Sequence, residues 1–518
     1  MEIIENKALR FKTRNPARYE LLPKRHVQPI PGGAEVTVPW GLDEARVLKN
    51  MGVKDVPSPI QKNYAYPGRY KPFAHQKVTA GFTTLHRRGF VLSEPGTAKS
   101  ISVLWAADYL MERKEVRRLL IICPLSIMHS VWVGDINKSV IHRSAVVAHH
   151  AQASRRIELI QGDYEIVIIN YDGLNLVASE IKADGRFDMI VVDEANVYGN
   201  STTRRWNALA AIVRPDTYLW LMTGTPAAQS PLNAYGMAKL VNPSAVPVYA
   251  TAWRDKVMLK LSMFKWVPKP DAKETVFKVL QPAIRFTKDQ CLDLPPVLTT
   301  TREVELTPQQ AKYYKKIKDD MLAHVAGETI SAVNKAAVVN KLLQISAGSV
   351  LTEDKEVVEF DATPRMNILL EILAETDRKV LIFAMYRASI DAIVTFLDKH
   401  GYKVGVIHGG ITATRRGDTI NRFQNTPDPR VLVMQPAAAA HGITLTAADT
   451  VVFFGPLMSV EMYIQAVARA DRQGQTSDKV TVVHIQGSPI EKKMFAALSG
   501  KVLENNLLTQ MFDEEMEK

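Results

Sequence analysis

Five apolar runs of strand length follow one another between residues 90 and 223: Phe90–Ser93, Leu119–Cys123, Glu165–Asn170, Met189–Asp193 and Leu219–Thr223. None alternates polar with apolar, which is the pattern of a parallel strand buried on both faces. Helical patterns fill most of the gaps, so strand and helix take turns, and that order predicts a doubly wound α/β sheet. A second set begins near residue 380: Val380–Ala384, Lys403–His408, Val431–Gln435, Thr450–Gly455 and Val480–Ile485. Helix-like segments such as Ser389–His400 and Arg415–Phe423 intervene again. The pattern therefore predicts an α/β protein with two similar parallel-sheet lobes.

The flanking stretches differ in texture. The first seventy residues are punctuated by Pro16, Pro23, Pro29, Pro31-Gly32-Gly33 and Pro39, with an alternating segment Glu35–Val38 and an amphipathic helix over Leu42–Met51. Pro57, Pro59 and Pro67 form a stiff connector. Residues 245–375 read mainly as helices and carry a basic patch at Arg254, Lys256, Lys260, Lys265, Lys269 and Lys273. The expected organisation is a small basic module over 1–70, a first lobe over 71–244, a helical insert over 245–375, and a second lobe with a C-terminal helix over 376–518.

Composition narrows the class without changing this picture. A chain of 518 residues exceeds one core, and no apolar run reaches the length of a membrane span. The start, MEIIENKALR, does not resemble a secretory signal, and Cys123 and Cys291 stand apart in unlike contexts. A soluble, cytoplasmic protein without disulfide framework or zinc site is expected, and no membrane partner. The net charge of +11 favours a polyanionic partner. Residues 1–76 hold 13 Lys/Arg against 7 Asp/Glu, so more than half of that surplus lies at the N-terminal end.

The candidate chemistry starts at Val91–Ser100, VLSEPGTAKS. A strand ends in a loop of small residues, Glu94-Pro95-Gly96-Thr97-Ala98, which closes on Lys99-Ser100 and opens a helix over Ile101–Met111. That order suits a phosphate loop: backbone amides and the helix N-terminus face the anion, Lys99 adds a point charge, and Ser100 can ligate magnesium. The usual signature G-x-x-x-x-G-K-[ST] would place glycine at Ser93 and Ala98, so the spelling alone also fits an ordinary strand-to-helix turn. If position 98 needs a positive φ, alanine is strained there.

Two further patterns give the loop a purpose. Met189–Asn196 is a strand ending in Asp193-Glu194, where one carboxylate can enter a magnesium shell and the other can polarise an attacking water. Thr223 and Thr225, in LMTGTP, could contact these acids and relay nucleotide state. In the second lobe, QAVARADR predicts a helix with Arg469 and Arg472 at i and i+3 on one face. Aimed across a cleft, they would neutralise charge growing on a transferred phosphoryl group.

The ordered blocks SEPGTAKS, LLIICPLSIMHSVW, INYDGL, IVVDEAN, LMTGTPAAQSP, KVLIFAMYRASIDAI, HGITLTAADTVVFFGP and QAVARADRQGQ resemble the Swi/Snf-type branch of superfamily-two helicases over roughly residues 70–500. The resemblance implies two RecA-like lobes with ATP and Mg2+ between them, and movement along duplex DNA. It implies adenine reading by Gln76, phosphate and magnesium contacts by Lys99 and Ser100, a magnesium carboxylate at Asp193, a catalytic base at Glu194, and arginine fingers at Arg469 and Arg472. It also places Pro124, Ser126, Tyr171, His408, Gly409, Gln435, Gly442 and Thr444 along the sugar-phosphate backbone. A motor that grips phosphates and ignores bases makes physical sense.

Three positions depart from the family pattern. Asn196 replaces the usual histidine after Asp-Glu-Ala, and its amide can still couple the acids to Thr223. Ala98 replaces glycine, and Asp471 replaces a frequent histidine. IPGGAEVTVPWGLDEARVL is also reminiscent of the recognition module of annealing helicases. The expected function is a monomeric ATP-dependent translocase on double-stranded or branched DNA, in a compact form of prokaryotic or viral origin. The alternatives are a fork-remodelling or annealing helicase, a DNA-binding regulator with vestigial ATPase, and an RNA-directed motor.

Overall fold

The computed structural model describes residues 1–227, 230–262, 266–291, 294–325, 332–352, 356–439 and 443–500. The chain forms two compact units. The first holds 1–227, 231–259 and 269–291, and the second is built mainly from residue 292 onward. Among the described residues no helix is long and apolar enough to cross a membrane.

At the N-terminus, strands β1 (Glu2–Ile4), β2 (Ala8–Thr13), β3 (His26–Ile30) and β4 (Gly33–Pro39) form an antiparallel sheet in the order β1-β2-β4-β3. In β4 the alternation is strict: Ala34, Val36 and Val38 point inward, as the sequence pattern requires. Leu9, Phe11, Tyr19, Leu22, Trp40 and Leu48 complete this small core. The sheet does not stand alone. Helix α1 (Leu42–Asn50) gives Leu48 to it, but gives Leu42 and Ala45 to the core of the first unit. Arg46 on the same helix binds Glu115 at 2.7 Å, Tyr218 at 3.0 Å and the Thr84 carbonyl at 2.9 Å.

The first unit is a seven-stranded sheet made of β5 (Arg88–Val91), β6 (Arg118–Cys123), β7 (Ala145–Val147), β8 (Ile166–Asn170), β9 (Phe187–Val192), β10 (Tyr218–Met222) and β11 (Ala283–Ile284). Its order is β11-β5-β10-β9-β6-β8-β7, and every pairing is parallel. The second unit repeats the plan with β12 (Val297–Glu303), β13 (Lys379–Phe383), β14 (Val404–Ile407), β15 (Val431–Met434), β16 (Ala448–Phe453) and β17 (Val480–Gln486). Here the order is β12-β17-β16-β13-β15-β14, again parallel throughout. Successive residues of β13 serve opposite faces: Leu381 and Phe383 pack in one core, Val380 and Ile382 in the other. This two-sided burial explains the unbroken apolar runs, and both units are doubly wound parallel sheets.

The helical insert expected over 245–375 is not a separate layer. Helices such as Ala250–Val257, Ala272–Val279 and Thr363–Ala374 are present, but β11 joins the first sheet and β12 joins the second. Both are edge strands, and β12 reads VLTTTRE with mostly exposed side chains. An edge strand covered on one side needs no apolar run, so the pattern that found the central strands passes over it.

Candidate functional site

The phosphate loop is held from both ends by main-chain bonds. Leu92 N–H donates to the Ile284 carbonyl at 2.8 Å, and Glu94 N–H to the Phe286 carbonyl at 2.9 Å. Phe286 N–H donates to Ser93 Oγ at 3.1 Å. Thr97 Oγ1 donates to the Glu94 carbonyl at 2.9 Å, folding the loop on itself. Gly96 has φ +92°, a conformation only glycine adopts freely. Lys99 opens helix α3 (Lys99–Glu112), and its Nζ donates to the carbonyls of Ser93 and Glu94 at 2.8 and 3.3 Å.

Ala98 lies at φ +52°, ψ +50°, so the sequence-based condition for strain is met. A left-handed alanine costs on the order of 1 kcal/mol through its Cβ. Ala98→Gly should therefore raise the stability of the first unit by about 0.5–1 kcal/mol, part of the gain being offset by glycine's freedom in the unfolded chain. Urea unfolding of the two proteins measures it, and a loss of stability would show that neighbouring contacts, not the methyl group, govern this position.

Gln76 is buried near the start of helix α2 (Ala74–Leu85). Its Oε1 accepts from Phe73 N–H at 2.8 Å, and its Nε2 donates to the Ala98 carbonyl at 3.5 Å. The neighbouring His75 was not singled out by the sequence, yet its Nε2 bonds the Thr97 carbonyl at 2.9 Å and its ring stacks on Phe73. The pair KPFAHQ thus grips the loop through consecutive carbonyls. Gly224 explains the spelling TGTP: a Cβ there would lie 2.5 Å from Pro95 Cδ, so only glycine lets this loop meet the phosphate loop. Thr223 N–H donates to the Val91 carbonyl at 3.1 Å, and Thr225 N–H to Thr223 Oγ1 at 3.2 Å.

The acids stand at the C-terminal end of β9. Asp193 N–H continues the sheet to the Ile122 carbonyl at 2.9 Å. Its carboxylate accepts from Trp132 Nε1 at 3.1 Å and from Glu194 N–H at 3.0 Å. Asp193 keeps some accessible surface but lies deep enough that lost solvation raises its carboxyl above the ordinary value; Lys99 opposes the rise and Asp135 adds to it. The same groups are linked on the other side, because the Ser100 hydroxyl donates to the Asp135 carboxylate. Lys99, Ser100, Asp135 and Asp193 therefore form one electrostatic cluster. Two carboxylates and a hydroxyl are hard oxygen donors, and this donor set fits a magnesium ion. Glu194 follows at φ +48°, ψ +54°, and Asn196 lies on the 3-10 turn Ala195–Tyr198 directly after it.

The two arginines come together by a different route from the one expected. The helix Val460–Val467 ends before them, so they do not share a helical face. The chain turns so that the Arg469 carbonyl can accept from Leu445 N–H at 3.0 Å. Arg469 is buried, and both guanidinium groups still converge, since Arg469 Nη1 and Arg472 Nη1 donate to the same Ile443 carbonyl at 3.2 and 3.4 Å.

These geometries agree with what the chain is similar to. The SNF2-related domain family matches residues 41–349, and the helicase conserved C-terminal domain family matches residues 364–474. The chain belongs to the SNF2-related family. It is 26% identical over 417 residues to an uncharacterized ATP-dependent helicase of Mycoplasma genitalium, covering 78% of this chain and 39% of that protein. It is 25% identical over 401 residues to the SWI/SNF-related matrix-associated actin-dependent regulator of chromatin subfamily A-like protein 1 of Drosophila melanogaster, covering 75% and 49%. The chain thus spans less than half the length of these two relatives. Among solved structures, the Sulfolobus solfataricus SWI2/SNF2 ATPase core in complex with dsDNA is 19% identical, covers 87% of this chain and 97% of that one, and has a TM-score of 0.41.

In this SNF2-related chain the positions expected along a nucleic-acid backbone fare unequally. Ser126 is exposed on the 3-10 turn Leu125–Ile127 beyond β6, whereas Pro124 is buried and shapes that turn. Tyr171 is buried, and its hydroxyl donates to the Asp193 and Glu194 carbonyls at 2.6 and 3.3 Å, so this hydroxyl clamps the acidic strand end. In the second unit His408, Gly409 and Gln435 do come together. Gly409 N–H donates to Gln435 Oε1 at 3.4 Å, and Gln435 Nε2 donates to the Met385 carbonyl at 3.4 Å. Arg387, which the sequence reading did not single out, bonds the half-buried His408 ring. Slight burial and then the charges of Arg387 and Arg416 lower the His408 pKa, against the pull of Asp391. Thr444 is exposed, and Gly442 lies outside the described residues.

Proposed function

We propose that this chain hydrolyses ATP to move along double-stranded DNA. The observation that carries the reading is the single cluster of Lys99, Ser100, Asp135 and Asp193, with Glu194 next in sequence. Lys99, the loop amides and the N-terminus of α3 bind the phosphates, and Glu194 takes the proton of the attacking water. A magnesium ion held by Ser100 and Asp193, with Asp135 beside them, would neutralise charge on the phosphate oxygens. In the second unit Arg469 and Arg472 converge on one carbonyl, and two cations held together suit the negative charge that gathers on a phosphoryl group during transfer. The cationic face of Arg387 and Arg416 around His408, Gly409 and Gln435 suits a phosphate backbone and offers no base-reading pattern. We also propose that the protein acts as a monomer in the cytoplasm.

The test is ATP turnover with linear duplex, single-stranded and forked DNA and with duplex RNA, joined to ATP-driven displacement of a third strand from a DNA triplex. Duplex DNA should stimulate turnover most, and the third strand should be displaced only with ATP. Turnover indifferent to nucleic acid, or no displacement, would sink the reading. The basic N-terminal sheet packed on the first unit favours a second reading, remodelling of branched DNA. Stimulation by forked DNA well above linear duplex would support that version.

A further inference from the structure

The segment after β11 does more than close a sheet edge. Phe286 is bonded to the phosphate loop through both its N–H and its carbonyl, and two residues later Lys288 N–H donates to Glu94 Oε2 at 3.1 Å. The Lys288 side chain reaches back over the loop. Its Cε stands 3.5 Å from the place a Cβ on Gly96 would occupy, and the ammonium is one bond beyond. Gly96 has no side chain, which lets a cation and an anion approach the same backbone. Lys99 meanwhile directs its own ammonium to the Ser93 and Glu94 carbonyls on the other side.

We infer that Lys288 is a second phosphate-binding cation of this loop, acting on the nucleotide's phosphate chain and not on its base. Three hydrogen bonds, one between main chains and two from backbone N–H groups to the Ser93 and Glu94 side chains, fix where its stem starts, so little ordering cost opposes a charge-assisted contact when nucleotide enters. The loop amides and the N-terminus of α3 already favour an anion at this place, and Lys288 adds charge from a part of the chain 189 residues after Lys99. The inference rests on the ATP reading and adds a binding residue to it. Because the contact is made before and during reaction alike, Lys288 serves affinity more than turnover.

Lys288→Met tests it, since methionine keeps an apolar stem against Gly96 and leaves the main-chain bond to Glu94. The dissociation constants of ATP and ADP should rise about tenfold, that of adenosine should stay unchanged, and Lys288→Arg should keep most of the affinity. Unchanged ATP affinity in the methionine variant, equal weakening of adenosine, or a loss that arginine does not restore would each overturn the assignment. Failure of the unaltered protein to bind ATP would instead overturn the ATP reading on which it rests.

Discussion

Replacing Glu194 by glutamine should lower ATP turnover by about 10²–10⁴-fold while leaving nucleotide affinity and melting unchanged. The geometry makes this a clean substitution. The backbone N–H of Glu194 donates to the Asp193 carboxylate, and the carbonyls of both acids accept from Tyr171. Those bonds belong to the main chain of Glu194, so an isosteric amide preserves them. The left-handed backbone at φ +48° is no harder for glutamine than for glutamate. What glutamine cannot do is accept a proton from water. Turnover within a few-fold of the unaltered protein would remove Glu194 from the role of base. A parallel loss of ATP affinity would show instead that its charge organises the neighbouring cluster.

The largest expected effect on stability lies in the second unit. Arg365 and Glu491 are both buried and pair at 2.7 Å. Arg365 also donates to the carbonyls of Phe454 and Ile485, and the same Glu491 oxygen accepts from the N–H groups of Gly487 and Ser488 at 2.6 and 3.0 Å. The pair thereby ties helix Thr363–Ala374 to the ends of β16 and β17 and caps helix Pro489–Ser499. Glu491→Ala leaves a buried guanidinium without its counter-charge and uncaps that helix, which should cost about 3–5 kcal/mol. In a unit of this size the thermal transition should fall by roughly 10 °C or more. Calorimetry of the two variants reads this directly, and a shift of only a degree or two would show that the site relaxes or admits water. Glu491→Gln, which retains the helix-capping acceptor, should fall between.

The central strands were legible because burial on both faces leaves an unmistakable signal: ten apolar runs, each ending near a polar residue that the fold then uses. Lys99, Ser100, Asp193 and Glu194 were singled out because they lie beyond the ends of such runs, the loop gaining its reading only together with the acids and the arginines. Other parts of the site carry no local mark. Trp132 and Asp135 meet Asp193 and Ser100 only because β5, β6 and β9 are near neighbours in one sheet, a fact of topology that spacing does not reveal. Arg469 and Arg472 were paired correctly but placed on a helix, because QAVARADR has helical propensity. The helix ends at Val467, before either arginine. Tyr171 was placed along the sugar-phosphate backbone by the family resemblance alone, and the carbonyls its hydroxyl serves belong to residues 22 and 23 positions later, which no local pattern marks.

The edge strand β11 bears on where a nucleotide-holding fragment could be cut. By pattern alone the first lobe stops near residue 244, yet Ile284 and Phe286 hydrogen-bond Leu92, Ser93 and Glu94. A piece of chain ending before residue 283 would keep every residue of VLSEPGTAKS and lose the strand beside it. Its phosphate loop would have one wall of peptide missing, with the amides of Leu92 and Glu94 turned to solvent. The compact first unit therefore extends to residue 291, well past the last motif that marks it in the sequence.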